Sequence, residues 1–260
     1  MNKAIVIKIG GAVFASRGTT IEDVVYLQKQ GRQLVMVHGG GNLITEWLSK
    51  QGVSTRFIRG ERVTDKPALE VVIAVLAGLA NKEIVAAINS SGGQAVGISG
   101  VDGALIQGKI TDQELGYVGS VVKVNSAPLE TLVQAGYIPV VSPVSLNLSG
   151  KSVDESQILN VNGDPVAGEI AAAIGAERLI FITNVAGVCD QSGKLLPQLS
   201  SSEAETLVAS GVASGGMIPK IRACLRALDG AAETRIIDGR QPHALLEEIE
   251  GQGSGTMIYR

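Results

Sequence analysis

The sequence predicts an α/β fold in which a mostly parallel sheet is covered by helices on both faces. Apolar runs of strand length alternate with segments of helical periodicity along most of the chain. The 260 residues are enough for one large domain or two modest ones with a sizeable core. The 33 glycines follow no collagen-like period, so we interpret them as frequent turns between these elements.

Local signals place the elements of the first half of the chain. Thr19 and Glu22 have the spacing of a capping box, which predicts a helix to about residue 30. Asp65 has the position of an N-cap for a long helix over residues 66–90. The segment 104–124 alternates irregularly, so we predict antiparallel hairpins attached to the main sheet. Further strands are predicted over 3–9, 33–38, 94–99 and 138–142, and further helices over 42–50 and 127–135.

The second half returns to alternating helices and strands. Asp164 is predicted to cap a helix over 164–174, because Pro165 is a favoured first residue. Ser200 and Glu203 form a second capping box that opens another helix. The remaining predictions are strands over 178–183, 234–238 and 255–259 and helices over 217–228 and 242–248. We place a soft boundary near residue 168, which divides the chain into parts 1–168 and 169–260.

Charge and apolar patterning exclude several functional classes. The net charge is −3 and no basic run occurs, which argues against a nucleic-acid partner. No signal peptide is apparent, and charged residues interrupt the longest apolar stretch, over 68–88, so we expect no membrane span and a cytoplasmic location. Cys189 and Cys224 lack the spacing of metal ligands and are predicted to be buried small residues.

Two predicted strands end in glycine turns that suit a phosphate. Lys8 precedes Gly10 and Gly11, and the strand ending at His38 runs into three further glycines that include Gly40 and Gly41. Such turns bring bare backbone N–H groups to one edge of a sheet, and the lysine adds a positive charge. Neither turn is a Walker A or a Gly-x-Gly-x-x-Gly loop, and each alone is also compatible with ordinary strand-to-helix punctuation.

Asparagines form a second candidate set. In an extended segment Asn160 and Asn162 point to the same side, where they would suit a carboxylate or an amide. Buried amides need partners, which makes packing alone a poor explanation for the pair. Asp164, which follows them, is explained either by helix capping alone or by a role in the site.

Two more segments offer positive charge beside a predicted helix start. Gly216 and Met217 lead into a helix that carries Lys220 in its first turn. The positive end of the helix dipole disfavours a lysine there, and a bound anion would offset that repulsion. The alternative is a solvated lysine. Arg62 precedes the helix capped by Asp65 and could bind a carboxylate through its fork of N–H groups. The alternative is a surface ion pair with Asp65 or Glu61.

The chain has few groups for acid–base catalysis. Its two histidines are His38 and His243, and no Ser/His/Asp or Cys/His set is apparent. His38 ends a buried strand, so we predict a structural role for it. Phosphate cradles without a general base fit a transfer to an acceptor that is already ionised at pH 7, such as a carboxylate. Catalysis would then depend on positioning and charge neutralisation during phosphoryl transfer.

Together these segments resemble the amino acid kinase family, and within it the members that act on N-acetyl-L-glutamate. The resemblance spans nearly the whole chain. It rests on Lys8-x-Gly-Gly11, His38-Gly-Gly-Gly41, Gly60-x-Arg-Val-Thr-Asp65, Asn81-Lys-Glu, Gly97-Ile-Ser-Gly-x-Asp-Gly103, Leu115-Gly-Tyr-Val-Gly119, Asn160-x-Asn-x-Asp164, Thr183-Asn-Val-x-Gly187 and Gly216-Met-Ile-Pro-Lys220.

The resemblance implies a three-layer αβα sandwich that holds the amino acid in its N-terminal part and ATP in its C-terminal part. It implies transfer of phosphate from ATP to the side-chain carboxylate, giving an acyl phosphate on the arginine pathway, with magnesium bound mainly by the nucleotide phosphates. Catalytic roles would fall to Lys8, Lys220 and Asp164, and substrate binding to Gly40, Gly41, Arg62, Asn160 and Asn162. Phosphate or nucleotide binding would fall to Gly10, Gly11, Thr183, Asn184, Gly187, Gly216 and Met217.

The chain also departs from the family pattern. Glu61 stands where an apolar residue is usual, and Asn184 stands where an aspartate is usual. The sequence begins almost at its first strand, so we expect a homodimer through the helix over 66–90. The alternatives are a kinase for aminoadipate or glutamate on a carrier protein, against which Glu61 and the net charge argue, and a non-catalytic sensor. Binding of a nitrogen-signalling protein stays open.

Overall fold

The fold was obtained as a computed structural model and is described for residues 3–10, 19–149 and 156–260. The strands are β1 (Ile5–Ile9), β2 (Leu34–His38), β3 (Phe57–Ile58), β4 (Glu61–Arg62), β5 (Ala95–Ser99), β6 (Ile106–Ile110), β7 (Val118–Val124), β8 (Ile138–Ser142), β9 (Val144–Asn147), β10 (Ile158–Val161), β11 (Arg178–Thr183), β12 (Gln198–Ser200), β13 (Glu233–Asp238) and β14 (Thr256–Tyr259). The helices are α1 (Thr20–Lys29), α2 (Gly41–Lys50), α3 (Lys66–Ser90), α4 (Ala127–Gln134), α5 (Gly163–Ala173), α6 (Ser201–Ala209), α7 (Met217–Ala227) and α8 (Ala244–Ile249).

Eight strands form the central sheet in the order β12-β14-β13-β11-β1-β2-β8-β5. Every neighbouring pair is parallel except β13 and β14, so the predicted mostly parallel sheet is confirmed. Because the strands are parallel, the ends of β1, β2 and β11 meet at one edge, where α/β folds bind their ligands.

Side-chain alternation in the strands builds a core on each face of the sheet. In β1, Ile5, Ile7 and Ile9 face a cluster that includes residues of α1, α8 and the second half of α3. Val6 faces the opposite cluster, which includes residues of α4, α5, α6 and α7. The two helical layers enclose the sheet, so the three-layer αβα architecture is confirmed.

A small closed barrel stands beside the sheet, with its strands in the order β10-β7-β6-β9. The predicted antiparallel pairing within 104–124 is confirmed for β6 and β7, but these strands are not attached to the main sheet as expected. They pair instead with β9 and β10, which lie later in the chain. Non-local pairing of short strands leaves little periodic signal, which explains the error. The barrel matters here because β10 leads directly into α5.

α3 is the longest helix and touches several parts of the fold. Asp65 caps it by accepting a hydrogen bond from the Ala68 amide, as predicted, and a π-helical stretch interrupts it at Ala74–Ala80. Its first half packs against α2, and its second half packs under the sheet. With a mean hydropathy of 2.0 over an 18-residue window, it is long and apolar enough to cross a membrane. The expectation that no stretch meets this condition was therefore wrong, although 44% of that window is buried within the fold.

The two predicted capping boxes and the predicted boundary at residue 168 can also be compared with the structure. The Ser200–Glu203 capping box is confirmed, whereas the Thr19 side chain does not cap α1 and accepts the amide of His243 instead. Residue 168 lies inside α5, and β1 from the first part of the chain pairs with β11 from the second. The two parts therefore share one sheet, and their division into a substrate part and a nucleotide part stays a prediction.

Candidate active site

A cavity of about 280 Å³ opens at the carboxyl ends of β1 and β2. The antiparallel hairpin β3–β4 contributes to one side of this cavity, and the segment from β10 to α5 contributes to another. Residues predicted from four separate motifs line it together, namely Lys8, Gly40, Gly41, Arg62, Asn160 and Asn162. The fold therefore assembles the predicted substrate residues in one place.

Two lysines share one buried aspartate beside this cavity. Lys8 Nζ lies 2.6 Å from Asp164 Oδ1, and Lys220 Nζ lies 3.0 Å from Asp164 Oδ2. Burial lowers the pKa of Lys8 against the attraction of Asp164. Burial alone would raise the pKa of Asp164, but the charges of both lysines hold it below its ordinary value. The carboxylate therefore stays ionised and fixes two ammonium groups a few ångströms apart.

Close packing of α5 on α7 makes this bridge possible. Gly168 lies one turn after Asp164, and a Cβ placed on it would come within 2.6 Å of the backbone oxygen of Ala223 on α7. The helices can approach this closely only because Gly168 has no side chain. The prediction that Asp164 caps α5 was wrong, since Asn162 is the N-cap and its Oδ1 accepts the Asp164 amide at 2.9 Å.

The glycine turn after β2 leaves amides available for an anion. Within the described residues, the N–H groups of Gly40 and Gly41 donate to no protein acceptor, and both lie at the N-terminus of α2. A Cβ on Gly40 would meet Leu76 Cδ2 of α3 at 2.6 Å, so the turn is packed against that helix. Gly10 donates its amide to Ile182, and Gly11 lies outside the described residues.

Arg62 reaches the cavity from the β3–β4 hairpin and is buried. Its Nη2 donates to the Gly41 carbonyl at 3.0 Å and to Thr45 Oγ1 at 2.7 Å, and its guanidinium lies 4.8 Å from the ring centre of Phe57. Its Nη1 is buried without a partner among the described residues. Burial also lowers the pKa of Arg62. The surface ion pair considered as an alternative is not formed, and Arg62 instead lines the cavity without a carboxylate partner among the described residues.

The two asparagines are oriented by different neighbours. Asn160 Nδ2 donates to Thr64 Oγ1 at 3.1 Å, which leaves its Oδ1 as an acceptor for the cavity. Thr64 is buried and donates its hydroxyl to the Arg62 carbonyl, so it connects the asparagine to the arginine hairpin. Asn162 uses its Oδ1 as the cap of α5, which leaves its Nδ2 as the donor.

The predicted nucleotide residues lie at the ends of β11 and α7. Thr183 Oγ1 donates to the Val185 carbonyl and accepts the Val185 amide, so this hydroxyl shapes the turn that contains Asn184. Gly187 is packed tightly, since a Cβ there would meet Thr256 Oγ1 at 2.5 Å. Gly216 precedes Met217 at the start of α7, and its carbonyl accepts a hydrogen bond from Lys220 at 3.2 Å. The predicted catalytic residue Lys220 connects α7 to the Lys8–Asp164 pair.

The histidine and the two cysteines that follow have no charge at neutral pH or no bonded partner that would mark them as acid–base groups. Burial lowers the pKa of His38 to about 4, so its imidazole is neutral at pH 7, as expected for a structural residue. Cys189 and Cys224 are both free thiols; the predicted burial is confirmed for Cys224 but was wrong for Cys189, which is only partly buried. Across residues 3–10, 19–149 and 156–260, no group of three His, Cys, Asp or Glu residues is placed to hold a metal ion.

Three side chains of the site were assigned no role from the sequence, although Thr64 belongs to the Gly60–Asp65 motif. Thr45 and Thr64 hold Arg62 and Asn160 through single hydroxyls, and isolated threonines on a helix and in a loop are too common to predict. Phe57 could have been singled out, because the chain has only three phenylalanines and this one precedes Arg62 in a short hairpin.

Comparisons with known proteins identify relatives of this chain by sequence. The sequence profile of the amino acid kinase family matches residues 3–238. The acetylglutamate kinase of Dehalococcoides mccartyi strain BAV1 is 48% identical over 257 residues, covering 99% of this chain and 94% of that protein. The acetylglutamate kinase of Nostoc sp. strain PCC 7120 is also 48% identical, covering 98% of this chain and 87% of that protein.

Solved structures share the fold over the full chain. The protein smu.665 from Streptococcus mutans UA159 superposes with a TM-score of 0.84 at 28% identity, covering 100% of this chain and 99% of that one. The N-acetylglutamate synthase of Neisseria gonorrhoeae, solved with coenzyme A and N-acetyl-glutamate, superposes with a TM-score of 0.83 at 25% identity, covering 99% of this chain and 59% of that one.

Proposed function

The chain belongs to the amino acid kinase family, and from this premise we propose that it phosphorylates the side-chain carboxylate of N-acetyl-L-glutamate with ATP. The product would be N-acetyl-L-glutamyl 5-phosphate, an intermediate of arginine biosynthesis. One observation carries the proposal beyond the family relationship. The cavity is lined by Lys8, which shares Asp164 with Lys220, and by Arg62, whose Nη1 has no partner among the described residues. An acceptor with two carboxylates would satisfy both positive groups.

The reaction requires no general base in this arrangement. The acceptor carboxylate is ionised at pH 7, so its oxygen attacks the γ-phosphorus directly while the bond to the departing ADP oxygen breaks. No proton has to leave the acceptor. Charge spreads over the oxygens of the phosphoryl group in transit, where Lys8 and Lys220 would neutralise it. The amides of Gly40 and Gly41, which have no acceptor among the described residues, would donate to it. Asp164 would hold the two lysines in position.

The other end of the cavity would bind the amino acid portion of the substrate. Arg62 Nη1 would donate to the α-carboxylate, because a buried guanidinium with a free donor favours an anionic partner. Asn160 presents an acceptor, which suits the N–H of the acetamido group, and Asn162 presents a donor. Glu61 is exposed at the same cavity, so its charge is partly screened by solvent.

ATP would lie toward the ends of β11 and α7, and the residues there fit a nucleotide that brings its own magnesium. Asp164 is occupied by two ammonium groups, and the described residues offer no protein cage for a cation. Magnesium bound by the nucleotide phosphates would neutralise part of their charge. The nucleotide roles of Thr183, Asn184, Gly187, Gly216 and Met217 stay predictions, as do those of Gly10 and Gly11.

Two alternatives have less support. A kinase for a carrier-bound acid would need a basic rim to attract an acidic protein, whereas Glu61 lines the mouth of this cavity and the chain has a net charge of −3. A non-catalytic sensor would have no need for the Lys8–Asp164–Lys220 bridge, which is complete. A homodimer through α3 and a cytoplasmic location stay predictions.

The direct test is acyl phosphate formation, trapped with hydroxylamine as the hydroxamate. The protein, ATP and magnesium are incubated with N-acetyl-L-glutamate, L-glutamate, L-aspartate or L-2-aminoadipate. We expect hydroxamate with N-acetyl-L-glutamate and little with the others. Equal product from another acid would overturn the substrate assignment, and no product from any acid, with ATP binding retained in calorimetry, would favour the sensor.

Replacing Arg62 with alanine should weaken acetylglutamate binding far more than ATP binding. Loss of a charged hydrogen bond to a carboxylate costs roughly 2–3 kcal/mol, so we expect KM for acetylglutamate to rise about 100-fold. KM for ATP should change less than about 2-fold. Arg59→Ala is the matched control, because Arg59 belongs to the same hairpin but is exposed and pairs with Asp112. An unchanged KM for acetylglutamate in Arg62→Ala would refute the assignment.

A further inference from the structure

The imidazole of His38 is held in one orientation by two hydrogen bonds. Its Nδ1 lies 2.9 Å from the Gly39 carbonyl, and its Nε2 lies 3.3 Å from Asn81 Nδ2. A carbonyl can only accept, so Nδ1 must carry the proton and Nε2 must be the acceptor. Burial, which keeps the pKa of His38 at about 4, excludes the doubly protonated ring at neutral pH.

Asn81 stabilises this tautomer from the Nε2 side of the ring. It is fully buried, and its Oδ1 accepts a hydrogen bond from Lys82 Nζ at 3.0 Å. Its Nδ2 donates to the Val140 carbonyl at 2.9 Å and faces His38. Because the Val140 carbonyl can only accept, the amide of Asn81 cannot be turned around. The His38 ring therefore always meets an N–H donor on its Nε2 side.

The ring acts on a peptide that faces the phosphate cradle. Parallel partners share a face, so Lys8 lies on the same face as Val37, whereas His38 lies with Ile9 on the opposite face. The ring draws the Gly39 carbonyl toward its own side. In a trans peptide the following N–H points opposite to the carbonyl, so the N–H of Gly40 is directed to the side of Lys8.

A flip of the Gly39–Gly40 peptide would weaken binding of the phosphoryl group. This peptide joins two glycines, so no Cβ on either side disfavours the flip. A flipped peptide would direct the carbonyl of Gly39 toward the incoming phosphoryl oxygens and remove one donor. The hydrogen bond from the buried His38 ring to the Gly39 carbonyl would prevent this flip.

We propose that His38, held by Asn81, is a positioning residue that keeps the Gly40 amide directed at the phosphoryl group in transit. This inference rests on the proposed phosphoryl transfer and adds a residue that does not touch the substrate. The amide of Gly40 would strengthen its hydrogen bond as negative charge develops, so a misdirected amide lowers kcat more than it weakens substrate binding.

Three substitutions of His38 separate positioning from packing. In His38→Asn the amide nitrogen stands where Nδ1 stood and can still donate to Gly39. In His38→Gln the nitrogen extends toward the position of Nε2 and the donor to Gly39 is lost. His38→Leu has similar bulk and neither bond. We expect kcat to fall about 30-fold in His38→Leu and His38→Gln, with KM for acetylglutamate and ATP changed less than about 3-fold, and to fall less than about 5-fold in His38→Asn.

A binding measurement gives a second readout. With N-acetyl-L-glutamate present, ADP, magnesium and aluminium fluoride mimic the planar phosphoryl group. The His38→Gln variant should bind this combination about 30-fold more weakly than the unmodified chain, while its affinity for ADP alone is unchanged. The His38→Asn variant should bind it almost as well as the unmodified chain.

The outcomes are decisive even if His38→Leu fails to fold. The comparison then rests on His38→Asn and His38→Gln, whose thermal unfolding is measured in parallel. Equal kcat for these two variants would overturn the proposal, as would a loss confined to KM. If the unmodified chain makes no acyl phosphate from acetylglutamate, the proposed function fails instead, and this result is visible before any variant is compared.

Discussion

Replacing Lys8 with methionine is expected to lower kcat for acyl phosphate formation about 1000-fold. Methionine keeps most of the buried volume but removes the charge that would neutralise the phosphoryl oxygens, and one such donor typically contributes 100- to 1000-fold or more. KM for both substrates should change by less than about 5-fold, because the interaction strengthens only as charge develops. Hydroxamate assays over a range of each substrate would measure both parameters.

The control for Lys8→Met is the same substitution at an exposed lysine, Lys29→Met, which should leave kcat within about 2-fold of the unmodified chain. Circular dichroism would establish that both variants are folded. A folded Lys8→Met variant that retains more than about one tenth of the turnover would remove Lys8 from the phosphoryl cradle. Such a result would leave Lys220 as the main source of positive charge there.

Replacing Asp164 with asparagine should damage both stability and turnover. The substitution leaves Lys8 buried next to Lys220 without an anion between them, and an uncompensated buried charge typically costs about 3–5 kcal/mol of unfolding free energy. The lysines would also repel each other, so we expect kcat to fall about 100-fold. Urea denaturation monitored by circular dichroism would give the stability change.

The stability effect of Asp164→Asn should depend on pH in one direction. The pKa of Asp164 is lower in the folded chain than in the unfolded chain, so its carboxylate stabilises the fold at pH values above the unfolded pKa of about 4. That contribution disappears as pH falls through the folded value. The difference in unfolding free energy between the unmodified chain and the variant should therefore be largest near neutrality and shrink below about pH 4.

A matched control tests whether the location of the charge matters. Asp229 is exposed and pairs with Arg226 on the surface, where ion pairs contribute little. Asp229→Asn should therefore change the unfolding free energy by less than about 1 kcal/mol. If Asp164→Asn were no more destabilising than Asp229→Asn, the bridge between the lysines would have no energetic role.

The sequence predicted the parts of the site that depend on short segments. A strand that ends in lysine and glycine, or in histidine and glycine, places those residues at the same sheet edge whatever the rest of the chain does. This reasoning brought Lys8, Gly40 and Gly41 together, and the cavity confirms that arrangement. The family resemblance placed Arg62 beside them, and the structure explains that position by its hydrogen bonds to Gly41 and Thr45.

The role of Asp164 depended on a contact that local sequence does not reveal. An aspartate near a helix start has the same local signature whether it caps the helix or faces a neighbouring helix. Asn162 takes the cap, and the approach of α5 to α7 at Gly168 then turns Asp164 toward Lys220. The barrel escaped prediction for a similar reason, because its strands are short and pair with segments far along the chain.

α3 joins two parts of the site, because it begins just after the arginine hairpin and later packs against the glycine turn. Its N-cap, Asp65, is three residues after Arg62 in the sequence, and Leu76 of the same helix packs against Gly40. About 15 Å of helix separates its first residue from Leu76, at roughly 1.5 Å per residue. If the proposed reaction holds, an acid one methylene shorter should bind less well, at a cost of roughly 1–3 kcal/mol. The relative position of the arginine hairpin and the glycine turn is then set by a continuous helix and not by a loop.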